Sequence, residues 1–332
     1  MRDAEWFVPV TVFVGIELAL VLSLAAYGHA PMPLVNDNGL LAYVFMTVVA
    51  LVRYLAFLVQ LWRSGESAPF ARSIEVAKAN VGWIVFAALA VQLVAVQAAC
   101  FNALKSAIPS VNPFWADPYL ARFDALLFGE QGWKRAYSLL GWATPFFDAA
   151  YSAWVPIQIV SIFSVFLLKP SALKSRLIIS FFLAWLLLGV FMACALSSAG
   201  PVYYDRLFGT HDFVGLPLAN APNTLRESAM LWAAHQSGQL KIGSGISAMP
   251  SMHVALALWF ALLLNKTFLR PLAWAYLPIV WIGSVLLGWH YASDGLVGLL
   301  GMAAIWTVSP RIAKLAPFRR RSDGEPRIAL ER

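Results

Sequence analysis

Three features of the sequence predict an all-α polytopic membrane protein. Of its 332 residues, 60% are hydrophobic and 12% charged, against roughly 45–50% apolar and about 25% charged in soluble domains. Apolar runs close to the roughly 20 residues needed to cross a hydrocarbon core about 30 Å thick recur along the chain. Lys and Arg gather in alternate connecting segments. Together these features predict about eight transmembrane helices.

The runs fall at 7–27, 39–62, 80–101, 145–168, 175–199, 250–265, 270–290 and 291–310. The sixth is short, and the last two meet at a turn. The first is long and preceded by Asp3 and Glu5, which reads as an uncleaved anchor rather than a signal peptide. Residues 102–144 mix aromatic and charged side chains, the pattern of short interfacial helices. Residues 200–249 form the longest connection and carry His211, Asp212, Arg226, Glu227 and His235. This stretch reads as a lid over a site at its own face.

With an inside N-terminus, the short inner segments hold Arg63, Arg72, Lys78, Lys169, Lys174, Arg176, Lys266 and Arg270, and the tail adds Arg311, Lys314 and Arg319 to Arg321. The outer segments are longer and hold their cations more sparsely, so the positive-inside rule places both termini in the cytoplasm. A bacterial chain would then lie in the inner membrane. The net charge of +7 therefore faces lipid head groups. No nucleic-acid-binding motif accompanies it, which excludes that partner class. Cys100 and Cys194 provide neither a disulfide framework nor a metal set and read as small apolar side chains. Gly295, Gly298 and Gly301 allow a neighbouring helix to approach closely.

Ionisable groups inside spans are costly unless paired or facing water. Glu17 and Arg53 lie at equal depth in the first two spans, and an ion pair between them is expected. His253, His290, Asp294 and Asp148 come from four segments, and topology alone brings all four to the outer face. If "GWHYASDGLVG" (288–298) is helical, His290 and Asp294 share one helix face. A carboxylate on one ring nitrogen fixes the tautomer and leaves the other nitrogen as base or nucleophile. In "MPSMHVA" (249–255), Pro250 is tolerated at a helix start and Ser251 can cap the helix it opens. Such a terminus binds phosphate, and His253 in its first turn is placed to donate a proton.

These two motifs, about forty residues apart, resemble those of the type 2 phosphatidic acid phosphatase superfamily. Pro250-Ser251-Met252-His253 matches its Pro-Ser-Gly-His motif with Met for Gly, and His290 with Asp294 matches the end of its third motif. Met252, "SAGPVYY" (198–204) and "FDALLFG" (123–129) are similar to the inositol phosphorylceramide synthase-like (aureobasidin-resistance) branch. The resemblance implies two extra N-terminal helices over 1–79, a phosphatase-type core of six helices forming a catalytic membrane domain over 80–310, and a basic tail over 311–332. By position it makes His290 the nucleophile that becomes a phosphohistidine, Asp294 its orienting partner and His253 the proton donor. Ser251 with the adjacent amides would hold phosphoryl oxygens. No metal or other cofactor is implied. The partners are membrane lipids, a lipid phosphate substrate and, for a transferase, an alcohol acceptor.

The family's first motif, Lys then six residues then Arg-Pro, is not found; Arg270-Pro271 lies on the wrong face. Ser284 occupies the arginine position of the third motif. Arg206, with Lys241 behind it, is the expected replacement for the missing phosphate-binding cations. Two other readings stand beside this one. A metal-dependent hydrolase would hold zinc with His253, His290, Asp294 and His211, and a proton-coupled transporter would use the same residues as a relay.

Overall fold

The computed structural model describes residues 4–315, save the side chains of Ala4, Asn36 and Trp83. Arg2, Asp3 and the basic tail from 316 lie outside the described residues. The described chain is helical, and six stretches are long and apolar enough to cross a membrane: Glu5–Ala26, Asp37–Arg63, Ile84–Val111, Gly132–Phe166, Ala172–Ala195 and Ala292–Lys314. Two shorter apolar helices, Met252–Leu263 and Arg270–Leu286, complete the expected set of about eight.

The helices are α1 (Ala4–Ala26), α2 (Val35–Arg63), α3 (Pro69–Ala79), α4 (Val81–Val111), α5 (Asp117–Phe128), α6 (Gly132–Leu140), α7 (Thr144–Ser152) and α8 (Trp154–Phe166). After them come α9 (Ala172–Ala184), α10 (Ala193–Ala195), α11 (Pro201–Phe208), α12 (Pro222–Ser237), α13 (Met252–Leu263), α14 (Arg270–Leu286) and α15 (Ala292–Lys314). α4 continues ten residues past the expected end at 101 and carries Pro109 within its last turn before ending at Val111. α5 and α6 are the short helices expected in 102–144.

α9 forms the centre of the bundle. Leu177, Ile178 and Ile179 are fully buried, and α1, α8, α13 and α15 pack around it. Trp6, Val10 and Val14 of α1 and Ala42 and Val49 of α2 belong to the same continuous core as α13 and α15. The N-terminal helices are thus part of the bundle. Between α9 and α10 the chain widens into a π-helical turn, Trp185–Met192, where Gly189 leaves room for the Phe101 ring, 2.8 Å from where a Cβ would stand. Such insertions cluster near functional sites.

The expected Glu17–Arg53 ion pair does not form. α4 packs on both α1 and α2, and Glu17 is fully buried beside the Gln97 carboxamide of α4. Arg53 is exposed on α2. Equal depth was legible in the sequence, whereas the direction in which each helix turns its side chains was not.

α13 has 12 residues, which at about 1.5 Å each give roughly 18 Å, short of a full crossing. Its N-terminal end shares a cavity with α11 and α12 of the segment 200–249.

Candidate active site

Ser251 is the N-cap of α13 and its hydroxyl accepts from the Val254 amide at 3.4 Å. The Ser251 amide donates to the Asp294 carbonyl at 3.0 Å. This contact depends on Gly298 of α15, where a Cβ would collide with the Ser251 carbonyl. The start of α13 therefore lies directly on the first turns of α15, and the next amides of α13 are free of intrahelical partners.

His253 in that first turn is positioned by aromatic rings. Tyr151 stacks on it with centroids 4.2 Å apart and planes 15° apart, and Trp154 lies at 4.1 Å. The Trp154 indole N–H donates to the His253 carbonyl at 3.1 Å. No described residue hydrogen-bonds its imidazole, so both ring nitrogens are available for proton transfer.

His290 is held differently. It precedes α15 rather than lying within a helix, because Tyr291 is the N-cap and Asp294 the third helical residue. The Asp294 carboxylate closes a capping box by accepting from the Tyr291 amide at 3.1 Å, and the same oxygen meets His290 Nδ1 at 3.2 Å. An ionised carboxylate can only accept, so Nδ1 carries the proton and Nε2 the lone pair. The four-residue spacing read from the sequence brings the two together, but through a cap rather than a helix face.

Around this loop lies a network that the sequence reading did not find. Asp117 of α5 accepts from the amides of Ala199 (2.7 Å) and Gly200 (2.8 Å) and from the Tyr291 hydroxyl (3.0 Å). Asp124, two turns along α5, accepts from the Ala292 amide at 2.9 Å. Burial pushes both carboxyls up to about 6, although these hydrogen bonds oppose the shift. Gly200, with φ of 92°, packs so closely on the Trp289 carbonyl that no side chain fits there. Ser198 accepts from the Ala248 amide through its carbonyl at 2.8 Å and from the Met249 amide through its hydroxyl at 3.0 Å. The "SAG" segment thus fastens the chain before Pro250 to the chain before His290.

The His253 and His290 ring centroids are 6.0 Å apart, and both rings line one cavity of about 620 Å³. Its cationic lining residues are Lys105 and Arg226. The two expected replacements are elsewhere: Arg206 is exposed with its guanidinium over the Trp232 ring at 5.5 Å, and Lys241 is exposed on its loop. Neither lines the cavity. Ser284 is buried, and its carbonyl accepts from the His290 amide at 3.1 Å.

Lys105 was missed because its motif is altered. It is followed by six residues and then Asn112-Pro113, the spacing of the family's first motif with Asn in place of Arg. Asn112 spends its amide on the Cys194 carbonyl at 2.6 Å, so it ties α4 to α10.

Asp148, the fourth member of the expected cluster, does not face the histidines. It is buried and accepts from the Asn223 amide (3.0 Å), the Thr224 amide (2.9 Å) and the Thr224 hydroxyl (2.7 Å). These bonds cap α12 and clamp the covering segment to α7. That segment turns Arg226 and Glu227 toward the cavity, while His211 and Asp212 are exposed. His211 is therefore not joined to the two site histidines, and among the described residues no group of three or more His, Cys, Asp or Glu is placed to hold a metal ion.

Compared with known proteins, residues 119–308 match the family model described as the PAP2 superfamily. No curated protein and no solved structure matches the chain.

Proposed function

The chain belongs to the PAP2 superfamily, and on that premise we propose that it transfers or hydrolyses the phosphoryl group of a lipid phosphate ester through a phosphohistidine on His290. Membership supports a phosphatase- or phosphotransferase-type activity in a multi-pass integral membrane protein. The observation that carries the finer reading is that two histidines face one cavity with only one of them tied to a carboxylate.

In the first half-reaction His290 Nε2 attacks phosphorus. An N–P bond forms, the P–O bond to the leaving group breaks, and His253 gives its proton to the departing oxygen. In the second, water or an alcohol attacks the phosphohistidine, His253 takes the proton of the attacking hydroxyl, and the N–P bond breaks to restore His290. Asp294 holds the His290 tautomer throughout and balances the charge that develops on the ring. Lys105 and the first-turn amides after Ser251 hold the phosphoryl oxygens.

The catalytic unit in this proposal spans 80–310 and stands behind the two N-terminal helices, with the basic tail following. Both termini lie in the cytoplasm and the histidines open to the outer face. The branch-like features at Met252, 198–204 and 123–129 favour an alcohol acceptor, as in an inositol phosphorylceramide synthase-like transferase. Incubating the purified protein with a panel of lipid phosphates, with and without acceptor alcohols, tests the proposal. Phosphate release identifies a phosphatase and a new phosphate ester of the added alcohol a transferase, whereas neither product from any lipid contradicts the reading.

A further inference from the structure

The cavity continues well below the histidines. From Lys105 its wall descends α4 through Phe101 and Ala98 to Val94, about 16 Å at 1.5 Å per residue. That is about half of a hydrocarbon core roughly 30 Å thick, the depth of one leaflet. On α8 the lining runs from Trp154 to Phe163. The last side is closed by Asn38, Leu41, Ala42 and Phe45 of α2, whose spacing of three to four residues puts them on one helix face. The Tyr43 hydroxyl donates to the Gln92 carboxamide of α4 at 3.2 Å. This bond ties α2 to α4 two residues beyond Val94, so Ala42 and Phe45, beside Tyr43, line the lower end of the α4 wall. α2 lies outside residues 119–308, the part that matches the family.

We propose that this slot holds the hydrocarbon chain of the lipid phosphate, and that Ala42 and Phe45 of α2 set the chain length accepted. One end offers a lysine and two imidazoles to an anionic head, and the remainder is walled mainly by apolar side chains at membrane depth, so the two ends match an amphiphile of that polarity. The proposal rests on the proposed function for the identity of the head group.

Binding of octyl and hexadecyl phosphonates to the full chain tests the slot without requiring turnover. The wild type should bind the hexadecyl compound at least tenfold more tightly, since each buried methylene contributes separately. Ala42→Trp should lose at least tenfold on the hexadecyl compound and leave the octyl one unchanged. Phe45→Ala should move the optimum toward longer chains. Leu51→Trp, on the exposed face of α2, controls for partition into lipid and should keep the wild-type profile. Equal chain-length profiles in wild type, Ala42→Trp and Phe45→Ala would overturn the proposal, as would a shift in Leu51→Trp equal to that in Ala42→Trp or no binding by the wild type. Chain-dependent binding without phosphoryl transfer from any lipid would sink the catalytic reading and leave the slot intact; transfer with a flat chain profile would do the reverse.

Discussion

The two histidines of the cavity are the same residue held by opposite means. His290 sits in a loop whose neighbours are hydrogen-bonded to Asp294, Asp117 and Asp124. His253 sits in a helix and is held by the faces of Tyr151 and Trp154. A hydrogen bond to a carboxylate fixes one tautomer and supports positive charge on the ring, which suits a nitrogen that must become covalently phosphorylated. Stacking fixes position while leaving both nitrogens free to exchange a proton, which suits a general acid. The asymmetry of the surroundings thus favours the two proposed roles independently of motif order.

The largest test of this contrast is to remove each ring. His290→Ala should lower kcat by about 10³-fold or more for every substrate, whatever its leaving group. His253→Gln should cost about 10²–10⁴-fold on alkyl phosphate esters but much less on a p-nitrophenyl ester, whose leaving group needs no proton. Equal losses on both ester types for His253→Gln would erase the distinction between the two histidines.

A smaller effect is expected at the cations. Lys105→Met should raise KM and lower kcat/KM by about tenfold or more, as loss of a charge-assisted contact does. Arg206→Ala and Lys241→Ala should stay within about twofold of wild type, since a solvated surface charge contributes about 1 kcal/mol or less. A loss at Arg206 equal to that at Lys105 would show that the covering segment closes further over the cavity than it does here.

The smallest effect concerns the network that holds His290. Asp117 and Asp124 keep their protons to about 6 in the folded chain, above the ordinary 3.8. Between those values the folded state binds more protons than the unfolded one, so stability should fall as pH rises from about 4 to about 6 and level off above. Asp117→Asn should flatten part of that slope in a thermal-unfolding series. An unchanged slope would mean that Asp117 is charged in both states.

Much of the fold was legible because span length is a strong signal: apolar runs of membrane length gave the bundle, and polar breaks located α5 and α6. The candidate site was legible where a residue type and a cap coincide: Ser251 opens the helix that carries His253, and Asp294 closes the cap beside His290. It failed where direction matters. Asp148 was grouped with the histidines, but its carboxylate turns to α12; Glu17 and Arg53 do not meet. Lys105 was hidden by Asn112 where Arg was sought, and Asp117 and Asp124 lay in a segment whose charges looked interfacial rather than buried.

The central claim is that His290 carries the phosphoryl group. Rapid quenching of the wild-type protein with a phosphorus-labelled lipid phosphate should trap an acid-labile, base-stable label on the peptide containing His290. The label should be absent from His290→Ala and should accumulate when acceptor is withheld. Turnover of the same lipid with no label on the protein at any quench time would contradict the account.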